Sequence, residues 1–281
     1  HRRSIGRPCS GPRAPLSLFV LFLLFSRLAA ASDWRVAPVS SLHKLTATAP
    51  GTLEPFTPQP AQLRAARGEW ESFQIVVTAG ERPLHNVRLE TPGLASFRGG
   101  AIAREQFRFF REHFVYVAQP SGNRRIEKLW WPDALIPLSP QFRLTIPAHQ
   151  SAVFWIALRV PRETLPGEYS GTIRINSDSG EKLLPVSLTV EPIALPAPSL
   201  RANVAVYYDV LRDWCAKNVA PQDDAQFALL KRQYYEFLLD YRLNAYDLPA
   251  AWNSTEAARY LRDDRVLSVR LPPLDDADFD T

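Results

Sequence analysis

From Trp34 to about Leu195 the chain alternates apolar and polar residues in short runs. Val186-Ser187-Leu188-Thr189-Val190 and Thr172-Ile173-Arg174-Ile175 keep the two-residue period that turns one face of a strand inward. Phe73-Gln74-Ile75-Val76-Val77 and Val153-Phe154-Trp155-Ile156-Ala157-Leu158 are more continuously apolar, as strands covered on both faces are. Phe109 to Val117 predicts a further, aromatic-rich strand. Turn signals fall between these runs: Thr78-Ala79-Gly80, Thr91-Pro92-Gly93, Gly99-Gly100, Pro120-Ser121-Gly122 and Asp178-Ser179-Gly180. No long amphipathic helix is predicted before about residue 222. Strands joined by turns, without helices between them, predict a mainly β fold, an antiparallel β-sandwich.

The pattern then changes. Pro192, Pro196 and Pro198 stiffen residues 191–198, which read as a connector and domain boundary. Asn203-Val204-Ala205-Val206-Tyr207-Tyr208 predicts a strand. Pro221, Asp223 and Asp224 open a helix whose apolar face is read as Phe227, Leu230, Tyr234, Phe237, Leu238 and Tyr241. The acids suit the positive end of the helix dipole. Leu243-Asn244-Ala245-Tyr246-Asp247-Leu248 predicts the next strand. Strand, helix, strand is one unit of a parallel β/α architecture. A closed (β/α)8 barrel takes about 250 residues, so only its truncated beginning is expected here.

The first thirty residues alter the charge balance. Arg2, Arg3, Arg7 and Arg13 precede the apolar run Leu16-Ser17-Leu18-Phe19-Val20-Leu21-Phe22-Leu23-Leu24-Phe25, and Ala29-Ala30-Ala31 follows Arg27. This is the pattern of a secretory signal peptide; the run is too short for a spanning helix, though an uncleaved anchor is the alternative. The expected organisation is therefore a leader over 1–31, a sandwich over 32–195 and the first part of a β/α barrel over 196–281, with the protein secreted or periplasmic. Cleavage removes five of the 33 basic residues and leaves 28 against 29 acids. The formal +4 then falls to near neutral, and no nucleic-acid partner is expected. Nor is a membrane partner expected once the leader is gone. The chain starts at His1, contains no Met, and stops at Thr281 where a new element opens, so a fragment of a longer reading frame is expected. A natural two-domain protein with a small α/β tail is the alternative.

Several segments together resemble one family. Ala66-Arg67-Gly68-Glu69-Trp70-Glu71-Ser72-Phe73-Gln74-Ile75-Val76-Val77 is similar to a stretch in the N-terminal sandwich of glycoside hydrolase family 123 and its uncharacterised relatives. Similar landmarks are Trp131-Pro132-Asp133-Ala134-Leu135-Ile136-Pro137, Val160-Pro161 followed by Leu165-Pro166-Gly167-Glu168-Tyr169-Ser170-Gly171, and Val190-Glu191-Pro192 running into Leu195-Pro196. Tyr234-Tyr235-Glu236-Phe237-Leu238-Leu239-Asp240-Tyr241-Arg242-Leu243 resembles the family's first barrel helix. The resemblance implies a β-sandwich followed by a β/α barrel that releases terminal N-acetylgalactosamine from glycans. It further implies that the sugar's acetamido group is the nucleophile, with an adjacent Asp-Glu pair as stabiliser and acid. This sequence holds no Asp-Glu dipeptide. No catalytic residue is therefore assigned, and the chain alone is expected to be inactive.

Barrel sites form at the C-terminal ends of strands. Here those ends carry Tyr208-Asp209 and Tyr246-Asp247, with Trp214 and Trp252 in the loops behind. Aromatic faces stack on sugar rings and carboxylates hold hydroxyls, so Tyr208, Asp209, Asp247 and Trp252 are the candidate substrate-binding residues for a glycan. The alternative is that the tyrosines are core and Asp247 caps a turn. Asp276-x-Asp278-x-Asp280 copies the first ligand positions of a calcium loop, but helix-opening acids explain it better. His43, His85, His113 and His149 lack metal-ligand spacing, and neither a metal nor another cofactor is expected. Cys215 has no nearby His and is not read as a nucleophile. Asn123-Arg124-Arg125 reads as a solvated loop, and Asn253-Ser254-Thr255 as a glycosylation sequon that matters only in a eukaryotic secretory pathway. Two other readings stay open: a non-catalytic glycan- or surface-binding module, and a structural sandwich that shapes a barrel's rim.

Overall fold

A computed structural model of the chain describes His1, residues 33–119 and residues 128–271. The leader pattern, the Pro120-Ser121-Gly122 turn, the Asn123-Arg124-Arg125 patch and the acids at 276–280 lie outside the described residues. The fold is mainly β. Its strands are β1 (Arg35–Ser40), β2 (Ala61–Arg67), β3 (Trp70–Thr78), β4 (Leu84–Glu90), β5 (Gly93–Ala95), β6 (Ala101–Ala103), β7 (Phe107–Tyr116), β8 (Trp130–Pro137), β9 (Leu144–Ile146), β10 (Ser151–Arg159), β11 (Gly167–Ser177), β12 (Gly180–Ala194), β13 (Asn203–Val204) and β14 (Asn244–Ala245). The helices are α1 (Tyr208–Asn218), α2 (Asp224–Asp240) and α3 (Thr255–Tyr260).

The chain divides into two compact units. The first holds the described residues up to Ala65, Glu71–Arg159 and Thr164–Val190. The second holds Ala66–Trp70, Val160–Glu163 and Glu191 onward.

Two antiparallel sheets build the first unit. One is ordered β1-β3-β10-β7-β8 and the other β2-β12-β11-β4-β9, with β5 and β6 added beside β11. The longest register runs from Gly167 opposite Val190 to Ser177 opposite Gly180, around the turn predicted at Asp178-Ser179-Gly180. Alternation holds along this hairpin: Tyr169, Ile173, Ile175, Leu184, Val186, Leu188 and Val190 are buried, while Glu168, Arg174, Glu181 and Leu183 are exposed. Strand β3 buries every residue from Phe73 to Val77, as its continuous apolar run predicts. Gly93 sits at φ +99°, and a Cβ there would lie 2.3 Å from the Ile102 carbonyl oxygen, so only glycine lets β5 approach β6 so closely. Pro132 and Pro137 fall in β8, an edge strand, where a missing N–H breaks no ladder on the outer side.

Three local expectations are corrected. Strand β12 continues to Ala194, so residues 191–194 extend the strand instead of opening the connector. On the β11 side Pro192 breaks no ladder bond, since β11 pairs with β12 only as far as Val190. The strand expected over 203–208 is confined to Asn203 and Val204, and that over 243–248 to Asn244 and Ala245. A helix precedes residue 222: α1 begins at Tyr208 and buries Cys215.

In the second unit β13 and β14 pair in parallel, Asn203 opposite Asn244 and Val204 opposite Ala245, with α1 and α2 between them in sequence. Helix α2 starts where the acids predict. The Asp223 side chain accepts from the Gln226 amide at 2.8 Å, and the Gln226 side chain accepts from the Asp223 amide at 3.1 Å, a reciprocal capping box. Its buried residues are Phe227, Tyr235 and Leu239, not the stripe through Tyr234 and Phe237. The core of this unit gathers Tyr235, Leu239, Ala245, Leu248, Ala257 and Tyr260.

Candidate functional site

The four residues expected to hold a glycan all lie in the second unit, at or after the ends of β13 and β14. Tyr208 and Asp209 form the first turn of α1 and are not strand-end residues, because β13 stops at Val204. The Tyr208 hydroxyl donates to the backbone carbonyl of Asp247 at 3.4 Å, and the Lys231 ammonium lies 5.6 Å from the centre of its ring. Burial, and then the neighbouring Tyr235 and the Asp247 carboxylate, push the Tyr208 hydroxyl well above its ordinary range. It is therefore a proton-bearing donor at any physiological pH.

Asp247 lies two residues past the end of β14 and is gripped by Arg270. The guanidinium meets both carboxylate oxygens, Nε to Oδ1 at 2.9 Å and Nη2 to Oδ2 at 2.6 Å. The Arg270 amide also donates to the Tyr246 carbonyl at 2.7 Å. This two-pronged pairing fixes the carboxylate's plane and neutralises its charge. Asp247 can still accept a hydrogen bond from a hydroxyl.

The structure thus joins Tyr208 and Asp247. It does not bring in the other two. Asp209 is exposed, and no bond of its side chain to another described residue is found. Trp252 packs against the buried Tyr235–Tyr260 cluster, as a half-buried wall of the core.

A second polar centre lies beside this pair and was not anticipated. The Arg265 guanidinium reaches Asp263 at 2.7 Å, Glu236 at 2.9 Å and Asp240 at 3.4 Å. Asp263 is held below its ordinary range, first by that side-chain hydrogen bond. Asn244 is buried and ties the chain after α3: its Oδ1 accepts from the Leu267 and Ser268 amides at 2.7 and 3.1 Å, and its Nδ2 donates to the Arg265 carbonyl at 2.9 Å. The Tyr235 ring meets Tyr260 edge-on at 4.8 Å, and burial lifts its hydroxyl to about 12. These partners of Asp247 and Asn244 lie 21 to 24 residues along the chain, beyond the reach of a local pattern; only the basic residues Arg265 and Arg270 hinted at them.

Chemically, the arrangement is a set of donors and neutralised carboxylates. Among the described residues no group of three or more His, Cys, Asp or Glu is placed to hold a metal ion, and no described helix is long and apolar enough to cross a membrane.

Residues 52–177 match the family model described as the glycoside hydrolase 123 N-terminal domain. No curated protein matches the chain. Among solved structures, the chain is similar to a family 123 glycoside hydrolase from Clostridium perfringens, solved to explain its hydrolysis of glycolipid glycans, with a TM-score of 0.56 and 16% identity. That likeness covers 74% of this chain and 36% of the clostridial one, and at this identity it speaks for the fold alone. The CooA pilin subunit of enterotoxigenic Escherichia coli matches with a TM-score of 0.28 and 15% identity over 56% of this chain and 99% of its own, too weak a likeness to carry an argument.

Proposed function

We propose that this chain, whose residues 52–177 match the family model of the glycoside hydrolase 123 N-terminal domain, is the N-terminal part of an exported glycan hydrolase. The match over 52–177 is the observation that carries the reading. The proposed organisation is a leader over 1–31, a β-sandwich over 32–195, and from 196 the opening of a (β/α)8 barrel. The parallel pair β13 and β14 with helices between supports that last assignment. The likeness to the clostridial enzyme covers 36% of that chain, and in this reading the activity is that of a larger protein.

The proposed reaction is removal of terminal N-acetylgalactosamine with retention, the substrate's acetamido oxygen acting as nucleophile. One carboxylate would steady the acetamido group while a neighbouring carboxylic acid protonates the departing oxygen. These 281 residues contain no adjacent Asp-Glu to do so. In this reading Tyr208 and Asp247 contribute hydroxyl contacts on the barrel rim. Purified chain is therefore expected to release no phenol from an aryl N-acetylgalactosaminide, and clear turnover would overturn that. Following the reading frame past Thr281 is expected to reveal an adjacent Asp-Glu pair; a stop codon or an unrelated domain there would overturn the hydrolase reading.

A second reading is a non-catalytic glycan- or surface-binding module of a larger secreted protein. Retention of the chain on a glycan array, with no Asp-Glu pair downstream, would select it.

A further inference from the structure

One side chain in the first unit is placed against every rule of burial. Glu112, in the middle of β7, is 5% exposed, and neither carboxylate oxygen has a hydrogen-bond partner. Phe110 and Phe114 share its face of the strand, so the carboxyl stands where an apolar side chain would pack. Burial alone pushes it up to about 7. A carboxyl desolvated without a partner weakens the fold, and nothing else in the architecture makes use of it.

Its surroundings are those of a site. Beside Glu112 the edge strand carries a bulge: Glu112 pairs with Leu135 and Phe114 with Pro132, two steps on β7 against three on β8. Bulges of this kind re-aim side chains next to functional clefts. The extra residue brings Asp133 to the rim of a cleft of about 450 Å³, which Glu112 lines together with Trp155, Gln74, His43 and Lys44. The half-buried Trp155 supplies an apolar wall. Lys44 and Asp133 place one charge of each sign at the rim, so the cleft as a whole does not select for ionic charge. Gln74 is buried and pins the nearby turn, its Nε2 donating to the carbonyls of Ser40 and His43 at 2.6 and 2.8 Å. Both Glu112 oxygens are buried and without a hydrogen-bond partner, and Glu112 is among the residues that line the cleft. The turn at residues 41–44 lines the cleft, with Leu42 95% exposed at its tip.

We propose that this cleft binds a sugar residue, with Glu112 as its polar floor and Trp155 as its apolar wall. A hydroxyl both donates and accepts, so it satisfies a carboxyl in either protonation state. An amine would serve only the ionised form and would meet Lys44 at the rim. A sugar ring also offers a C–H face to an indole, the mixture of apolar wall and few convergent polar groups that small-ligand sites use. The site needs no catalytic pair and stands whether or not the protein is a hydrolase.

The test titrates the full 281-residue chain with glucose, methyl galactoside and N-acetylgalactosamine, and with ethylammonium for comparison, by calorimetry and saturation-transfer NMR. At least one sugar is expected to bind. Glu112→Leu is expected to weaken that binding about tenfold or more, the loss of a hydrogen bond to a carboxyl, while raising the melting temperature. Glu112→Gln, which still offers an acceptor, should retain part of the affinity. Absence of binding by every sugar, binding unchanged in the well-folded Glu112→Leu chain, or binding of ethylammonium in preference to sugars would each overturn the proposal.

Discussion

The indole of Trp70 lies flat on the ring of Tyr241, centroids 5.0 Å apart and planes 18° from parallel, and its Nε1 donates to the Asp240 carbonyl at 3.0 Å. Trp70 closes the Ala66-Arg67-Gly68-Glu69-Trp70 stretch, which belongs to the second unit although its flanking strands run in the first. The Arg67 carbonyl accepts from the Leu195 amide at 2.8 Å, and the Gly68 amide donates to the Val160 carbonyl at 2.7 Å, so three separate segments meet there. The bond to Asp240 also serves a carbonyl of the last turn of α2. Trp70→Ala is expected to lower stability by about 2 kcal/mol, from an aromatic pair and a hydrogen bond lost together. Trp70→Phe keeps the stacking and should lose about 1 kcal/mol. Urea unfolding of both variants checks this; equal losses would mean that the ring pair contributes nothing.

How α2 came to be placed correctly but turned wrongly shows what could be read from the sequence. Its start was legible because a cap is local: Asp223 and Gln226 satisfy each other within one turn. Its buried face was not, because Tyr234 and Tyr235 are the same residue type side by side, and only distant partners choose between them. Tyr235 is fully buried against Tyr260, while Tyr234 is 42% exposed. Phe237, assigned to the core, instead sits 47% exposed beside Tyr241, centroids 4.9 Å apart. The contrast predicts that Tyr235→Ala costs about 3–5 kcal/mol, as for a large core aromatic. Tyr234→Ala should change stability by about 0.5 kcal/mol or less. Thermal melts that rank the two the other way would restore the original face.

The sheets of the first unit were legible for the same reason as the cap: a period of two is a local property, and it survives in β11 and β12. The candidate site was half legible. Tyr208 and Asp247 do meet, but the Arg270 that neutralises Asp247 arrives from 23 residues away. Glu112 carried a signal that went unused, since the two-residue period sets it in register with Phe110 and Phe114 and thus predicts a buried carboxyl.

Glu112 also gives the stability a pH dependence of known sign. Its carboxyl titrates near 7 when folded and near 4.5 when not. Between those values the unfolded chain has released the proton and the folded one has not. Stability attributable to this group therefore falls as pH rises from about 4.5 to about 7, then stays level. The full drop is on the order of 3 kcal/mol. Glu112→Gln abolishes this contribution, so the stability advantage of the variant over the parent should grow across the same window. Denaturation curves at pH 4.5, 5.5, 6.5 and 7.5 measure it; a constant difference would place the carboxyl in water.

Asn244 offers the sharpest test of the second unit. It occupies β14, is 2% exposed, and serves three backbone groups of residues 265–268 with one amide. Those groups have no neighbouring strand among the described elements, so the side chain stands in for a ladder. Asn244→Ala would leave two amides and a carbonyl to find water in a partly buried place. A loss of about 3 kcal/mol is expected, one to two hydrogen bonds' worth of unsatisfied polar groups. Asn244→Asp separates the two ends of the amide. Its carboxylate can still accept from Leu267 and Ser268, but it turns an oxygen toward the Arg265 carbonyl, so an intermediate loss is expected. Because Arg270 follows directly on this segment, both variants should also loosen the Arg270–Asp247 pair and speed hydrogen exchange at the Arg270 amide, which bonds to the Tyr246 carbonyl. Exchange at Arg270 unchanged in Asn244→Ala would show that the segment is held by its packing and not by this side chain.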